Sequence, residues 1–387
     1  MTTRAVVLGG GAGGARAANL LVQQAPQGTE VILVERTGTH LFQPGLVQVL
    51  FGEAGIGSYR RPLSGLLAPG VKLVVGEVES LDLPVRLVKG SFGELAYDEL
   101  VVALGVEAAS GALEGLEELS PWTVPGALAG REALSKAGPR TRVIVGVAGI
   151  PYRCPPAVFD LAVRLRARTG AEVELFHPWD APLAPFGEQV SGAFSALLSA
   201  AGVTYHGGFR LVSCVDGCAT ASDGRELRFD MALVVPPHKP PRAVSSSELA
   251  GEGGWPEVTY PSLTSPRFAE VSVLGDLAAV ALGAGMAGTL ALSEAGHVAG
   301  RLAAKLSGGV PPRSPQMSAL CFVDTGITAS ALACDFTAPA AKAGPPSCVL
   351  LPFMSYFRRA KQLFAEEWFS ALGGGAVPQL SPDAQAT

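Results

Sequence analysis

The sequence predicts an α/β fold of two interleaved Rossmann-type domains followed by a C-terminal amphipathic-helix segment. Three observations predict it: a glycine-rich turn between a strand-like and a helix-like run at the N-terminus, a second strand–turn–helix unit over 142–168, and an aromatic stripe at helical spacing over 353–372. At 387 residues the chain has room for two or three cores. Its composition is apolar, 48% hydrophobic against 16% charged, but no uninterrupted run reaches the roughly 18 residues of a membrane-spanning helix. A formal charge of −5 gives no electrostatic footprint for nucleic acid. The opening Met-Thr-Thr-Arg enters a strand directly and shows no signal-peptide pattern.

The first unit reads as a dinucleotide site. Gly9-x-Gly11-x-x-Gly14 follows a strand-like run and opens a helix-like run, and Glu35 closes the next strand about 20 residues later. Gly9 is suited to the tight turn, Gly11 to admitting a pyrophosphate and Gly14 to close helix–strand packing, while Glu35 can accept ribose hydroxyls. Arg36, beside Glu35, and Pro44, in the run 40–52, are further cofactor-site candidates.

The second unit differs at its turn, Gly149-Ile-Pro-Tyr-Arg-Cys-Pro-Pro156. The glycines stop at Gly149 and two prolines remove amide donors from the helix start. Proline suits the first helical position, which places Cys154 near the N-cap, where the helix dipole and Arg153 favour a thiolate. This predicts a redox or nucleophilic cysteine. The next strand ends in His177-Pro178-Trp179 and offers no carboxylate for a second ribose. The proline-rich return at 236–241 makes the second domain an insertion in the first: 1–110 and 238–307 form one domain, 111–237 the other, 308–372 the C-terminal segment and 373–387 a flexible tail. Of the six cysteines, Cys214 and Cys218 flank a hairpin turn, Cys334 and Cys348 read as small buried residues, and no metal-site spacing occurs. Phe353, Phe357, Ala360, Phe364, Trp368 and Leu372 share one face of the last helix, with Arg358, Arg359, Gln362 and Glu366 opposite; a face of this kind either lies in a lipid interface, with Phe364 and Trp368 at headgroup depth, or packs on the protein.

Two further runs carry a family resemblance. Tyr97-Asp98-Glu99-Leu100-Val101-Val102-Ala103-Leu104-Gly105 and Val273-Leu274-Gly275-Asp276 resemble the two later FAD signatures of the pyridine-nucleotide-disulfide oxidoreductase superfamily, over residues 4–305. The resemblance implies FAD as cofactor, with Gly105, Gly275 and Asp276 joining the site and Asp276 on the ribityl chain. The run His40 to Gly52 resembles type II NADH:quinone oxidoreductases and sulfide:quinone oxidoreductases. Pro-Tyr-Arg-Cys-Pro-Pro resembles the cysteine motif of sulfide:quinone oxidoreductases and of flavocytochrome c sulfide dehydrogenases. Cys321, in Cys-Phe-Val-Asp-Thr-Gly, matches the second cysteine of those families, and Asp160 falls where they carry a glutamate; one or two turns into its helix, it is either a relay for the sulfide proton or a solvated helix aspartate. No cysteine precedes Cys154, so the FAD is expected to be non-covalent.

The resemblance thus implies oxidation of sulfide at a Cys154–Cys321 pair, with electrons passing through FAD to quinone and polysulfide or sulfur as product. It also implies a peripheral membrane location through the C-terminal helix. A flavocytochrome c type subunit with a cytochrome partner, an NADH:quinone oxidoreductase and a catalytically silent flavin-binding protein stand as alternatives, and a homo-oligomer remains open.

Overall fold

The computed structural model describes residues 2–378 except 110, 112, 114, 115, 117–119, 284, 314–316 and 343. Its frame is two parallel sheets, as the α/β reading requires. The first has the strand order Val271–Val273, Glu99–Val102, Thr3–Leu8, Thr29–Glu35, Val71–Val75, every neighbouring pair being parallel. Its central strands are near-continuous apolar runs because both faces are covered, and Val6, Val7, Leu8, Leu33, Leu100 and Val101 have no exposed surface. The helices Ala12–Gln24 and Gly288–Ser307 pack together on one side of it.

The second sheet has the order Val203–His206, Glu172–Phe176, Arg142–Val147, Met231–Val235, again parallel throughout. The chain leaves the first sheet after Glu107–Ala108 and returns through His238–Lys239, and these two crossing segments pair antiparallel. Val271–Val273 then joins the edge of the first sheet beside Glu99–Val102, although the whole second sheet lies between them in sequence.

After the long helix come three antiparallel strands, Ser318–Asp324, Ala329–Asp335 and Ser347–Leu350, and the helix Ser355–Leu372. Two expectations are corrected here. Cys334 and Cys348 are not independent buried thiols. The register sets them directly opposite one another with side chains on the same face, and they form a disulfide.

The aromatic face of the last helix turns inward, not to lipid. Phe357, Phe364, Trp368 and Phe369 are buried, with Phe364 edge-on to Phe322 at 5.2 Å and to Phe42 at 5.8 Å. The reason is polar as well as apolar: Trp368 Nε1–H donates to His40 Nε2 at 2.9 Å, and His40 Nδ1–H donates to the Gly10 carbonyl at 2.9 Å. A buried indole needs such an acceptor, and burial holds His40 neutral by lowering its pKa. Asn19 Nδ2 caps the Leu372 carbonyl at 2.7 Å, and Arg16 bonds the carbonyls of Ala371 and Gly375. Val377 also packs on the core, so the predicted tail is docked at its start, and residues 379–387 of it lie outside the described residues. No helix among the described residues is long and apolar enough to cross a membrane.

Because Trp368 is 3% exposed and hydrogen-bonded, Trp368→Ala should cost about 3–5 kcal/mol, read as a fall in the urea midpoint. Tyr356→Ala, on the solvent side of the same helix, should leave that midpoint nearly unchanged.

Candidate functional site

A cavity of about 990 Å³ opens between the first sheet, the turn that carries Cys154, the C-terminal strands and the last helix. Its size is that of a large cofactor or ligand site. At one wall lies the glycine turn. Gly9 has φ +99°, and a Cβ there would meet the Ala103 carbonyl oxygen at 2.4 Å; a Cβ on Gly14 would lie 1.9 Å from the Gly9 carbonyl oxygen. Both positions therefore exclude a side chain, whereas one at Gly11 would meet nothing within 4 Å, because Gly11 faces the cavity. The helix Ala12–Gln24 starts here with no side-chain cap, leaving its first amides for an anion.

Glu35 stands beside this turn, with Oε2 accepting from the Gly10 amide at 2.7 Å and Oε1 from the Thr37 amide at 3.2 Å. Arg36 and Pro44 border the cavity, and Arg36 pairs with Glu77 at 3.8 Å on its exposed side. Gly105, with φ +65°, and Gly275, with φ +75°, form further cavity walls with Asp276. Burial raises the pKa of Asp276, opposed by the Arg153 guanidinium 3.9 Å away. These residues fit a dinucleotide: a side-chain-free cradle at helix amides, and carboxylates at the positions where hydroxyls need acceptors.

Beneath Asp276, Glu294 was not anticipated from the sequence. It is fully buried, accepts from the Gly275 amide at 2.6 Å and from the Tyr260 hydroxyl at 3.1 Å, and burial pushes its pKa up to about 8.

Cys154 and Cys321 reach the same cavity from opposite parts of the chain. Both are free thiols, in hydrogen-bonding contact with each other. Cys154 is not at the N-cap as expected. Pro156 holds that position, the helix runs Ala157–Thr169, and Cys154 sits two residues earlier with φ +54°. The two prolines push the helix start past the cysteine. The thiolate preference therefore has a different source: the hydrogen bond from Cys321 lowers the Cys154 pKa, Lys361 adds to this, and burial opposes it. The same contact drives the Cys321 pKa well up, with burial adding to it.

Asp160 is buried behind the pair. Its Oδ2 accepts from Lys361 Nζ at 2.6 Å and from the Asp324 amide at 3.1 Å, and Lys361 also reaches Asp324 at 3.5 Å. Lys361 lines the cavity and was missed in the sequence. Its signal was there: it falls four residues after Phe357 and three before Phe364, a cation in the middle of an apolar stripe. His177, at the end of its strand, has no exposed surface and lies against Tyr152 and Trp179, not on the cavity wall.

Fold and cavity together define a dinucleotide-type oxidoreductase with two thiols at its site. The chain belongs to the pyridine nucleotide-disulphide oxidoreductase family, whose profile matches residues 3–281. It is 28% identical over 351 residues to the type II NADH:quinone oxidoreductase Ndh of Mycobacterium tuberculosis, covering 80% of this chain and 74% of that one. It is 33% identical to the NdhA enzyme of the same organism over 111 residues, 27% of this chain and 23% of that protein. Among solved structures it resembles the sulfide:quinone oxidoreductase of Aquifex aeolicus with a TM-score of 0.85 at 18% identity, covering 97% and 93% of the two chains. It also resembles an NAD-dependent persulfide reductase from A. fulgidus, with a TM-score of 0.68 at 18% identity, covering 88% and 66%.

Glu294 makes stability depend on pH in a stated direction. The folded state keeps its proton up to about pH 8, whereas an unperturbed glutamate loses it near 4.5. Between those values the folded state binds more protons, so this group's contribution to stability falls as pH rises through that window. Urea midpoints measured from pH 5 to 8 should therefore decline more steeply in the wild type than in Glu294→Gln.

Proposed function

We propose that the protein oxidises sulfide at Cys154 and Cys321 beside a non-covalently held FAD and passes the electrons to a membrane quinone, releasing polysulfide or sulfur. The observation that carries this reading is the contact between the two thiols on the wall of a cavity that also holds the glycine turn. In this division of labour 1–110 and 238–307 hold the nucleotide, 111–237 supply Cys154, and 308–372 supply Cys321 and the quinone end. Gly9, Gly11, Gly14, Glu35, Arg36, Pro44, Gly105, Gly275 and Asp276 would hold FAD, which when bound supplies a two-electron acceptor.

The protein's own groups perform the sulfur chemistry. Hydrosulfide attacks one sulfur of the oxidised pair, forming one S–S bond and breaking another, which leaves a persulfide on one cysteine and a thiolate on the other. The proton released from the persulfide passes to the Asp160–Lys361 pair. Rejoining of thiolate and persulfide as a sulfur-bridged pair then releases two electrons. Cys154, with its lowered pKa, is the better leaving thiolate. NADH is disfavoured as the reductant, because the second strand–turn–helix unit lacks cradle glycines and His177 is sealed in rings.

Membrane contact falls to a different surface from the inward aromatic face. Ile327, Met354 and Tyr356 are 80%, 50% and 68% exposed, and Met354 bridges to Ala329 just beyond the Ile327 turn. Arg359, three residues after Tyr356 on the same helix, is also exposed and offers a cation for anionic headgroups.

Anaerobic sulfide should bleach the flavin of the purified protein and NADH should not. Either Cys154→Ala or Cys321→Ala should reduce the rate to below about one-thousandth with flavin still bound, while Cys214→Ala stays near wild type. Acid denaturation should free the flavin from the chain. Bleaching by sulfide at the wild-type rate in Cys154→Ala would overturn the reading.

For the membrane contact, Ile327→Asp combined with Tyr356→Asp should weaken flotation with anionic liposomes and lower quinone reduction. Sulfide bleaching of the flavin should be unaffected, since neither residue lies at the thiols.

A further inference from the structure

The turn that carries Cys154 is held by a polar chain that the proposed reaction does not use. His177 Nδ1 accepts from the Trp179 amide at 2.9 Å, so that nitrogen carries no proton. Burial drives the pKa of His177 down to about 3, so the ring is neutral and its proton sits on Nε2. Nε2–H then donates to the Tyr152 hydroxyl at 2.9 Å, and the Tyr152 hydroxyl donates to the Pro155 carbonyl at 3.2 Å. Donor and acceptor follow in one direction from the Trp179 backbone to the residue after Cys154. Tyr152 is 3% exposed and His177 not at all, and Trp179 and Phe159 enclose the histidine ring.

The cysteine itself needs holding. Cys154 is in the left-handed region, at φ +54°, which a non-glycine residue keeps only when its surroundings fix it. Its amide donates to the Met286 carbonyl at 2.9 Å, and the Arg153 carbonyl accepts from Trp122 Nε1 at 2.9 Å. Those contacts fix the turn from the cavity side. The Tyr152–His177 chain fixes it from inside the second sheet.

We propose that Tyr152 and His177 are positioning residues for Cys154, holding its backbone so that the thiol meets Cys321. The consequence for sulfide oxidation rests on the function proposed above, but the placement of the thiol does not. Tyr152→Phe keeps the ring and leaves the Pro155 carbonyl without its donor. His177→Leu removes the chain's source, and His177→Gln restores an amide donor near the place of Nε2.

The test is the pH profile of Cys154 alkylation by iodoacetamide in the reduced, flavin-loaded protein, followed by peptide mass. Tyr152→Phe and His177→Leu should move the midpoint upward and slow the reaction at pH 7 about tenfold, because a displaced thiol loses the Cys321 hydrogen bond. His177→Gln should return most of the wild-type profile, and flavin content should be unchanged throughout. A wild-type profile in Tyr152→Phe overturns the proposal, and that variant decides alone if His177→Leu fails to fold. Flavin bleaching by sulfide in Tyr152→Phe should slow about tenfold in kcat with KM little changed. If sulfide fails to bleach the wild type, the function proposed above falls, and the alkylation profiles still decide the role of Tyr152 and His177.

Discussion

The site depends on one buried junction, the Asp160 carboxylate where it meets the Asp324 amide and the Lys361 ammonium. Three segments distant in sequence end there: the helix after the Cys154 turn, the strand that carries Cys321, and the C-terminal helix. A carboxylate inside a protein must be paired and hydrogen-bonded, and leaving one member of such a pair alone costs about 3–5 kcal/mol. The strand and the last helix therefore cannot drift from the helix Ala157–Thr169 without stranding a charge. Cys154 lies six residues before Asp160, and Cys321 three before Asp324, so the junction that satisfies the charges also brings the thiols together.

The same junction sets the electrostatics of the thiols. Asp160 and Lys361 act on Cys154 in opposite directions, the carboxylate raising its pKa and the ammonium lowering it. Since they are in contact with each other, their fields largely cancel at a distance. The strongest influence left is the hydrogen bond between the sulfurs, which outweighs the opposing effect of burial. That explains how a cysteine without a place on the helix axis still holds the more stable thiolate: its partner is a second thiol and not a helix dipole. Arg164 at 3.6 Å from Asp160, itself bonded to Glu53, extends the charge pairing away from the cavity.

Much of this was legible in the sequence, and where it was not the reason is physical. The glycine turn, the two parallel sheets and the candidate cysteines follow from local patterns, since turn glycines and apolar strands leave marks over a few residues. The meeting of Cys154 with Cys321 was reached only through resemblance, because no local rule links positions so far apart. The last helix shows the limit of periodicity. Phe357, Phe364 and Trp368 mark an apolar face, but a face that packs on protein and one that enters lipid have the same spacing. Lys361 in the stripe and His40 as acceptor for the indole distinguish them, and the second requires knowing where His40 lies. Glu294 left no signal, because a single glutamate in a helix becomes a buried acid only through what packs on it. The pairing of Cys334 with Cys348 depends on strand register, which the intervening loop hides.

The two strand–turn–helix units solve opposite problems with the same topology. The first turn must let a ligand approach the backbone, and it does so by omission: no side chain at Gly9, Gly11 or Gly14, and amides at a helix start left uncapped. The second must present a side chain at a fixed place, and it is filled. Pro155 and Pro156 delay the helix, Tyr152 lies beneath the turn, and His177 takes the strand-end position where a nucleotide site would keep a carboxylate. Restoring glycines alone to the second turn would not give it a dinucleotide site, because the space at the strand end is closed by Tyr152, His177 and Trp179. Conversely, a cysteine placed in the first turn would lack both the ring support below and the second thiol opposite. The specialisation of each unit thus lies in the pairing of turn with strand end, and neither half suffices without the other.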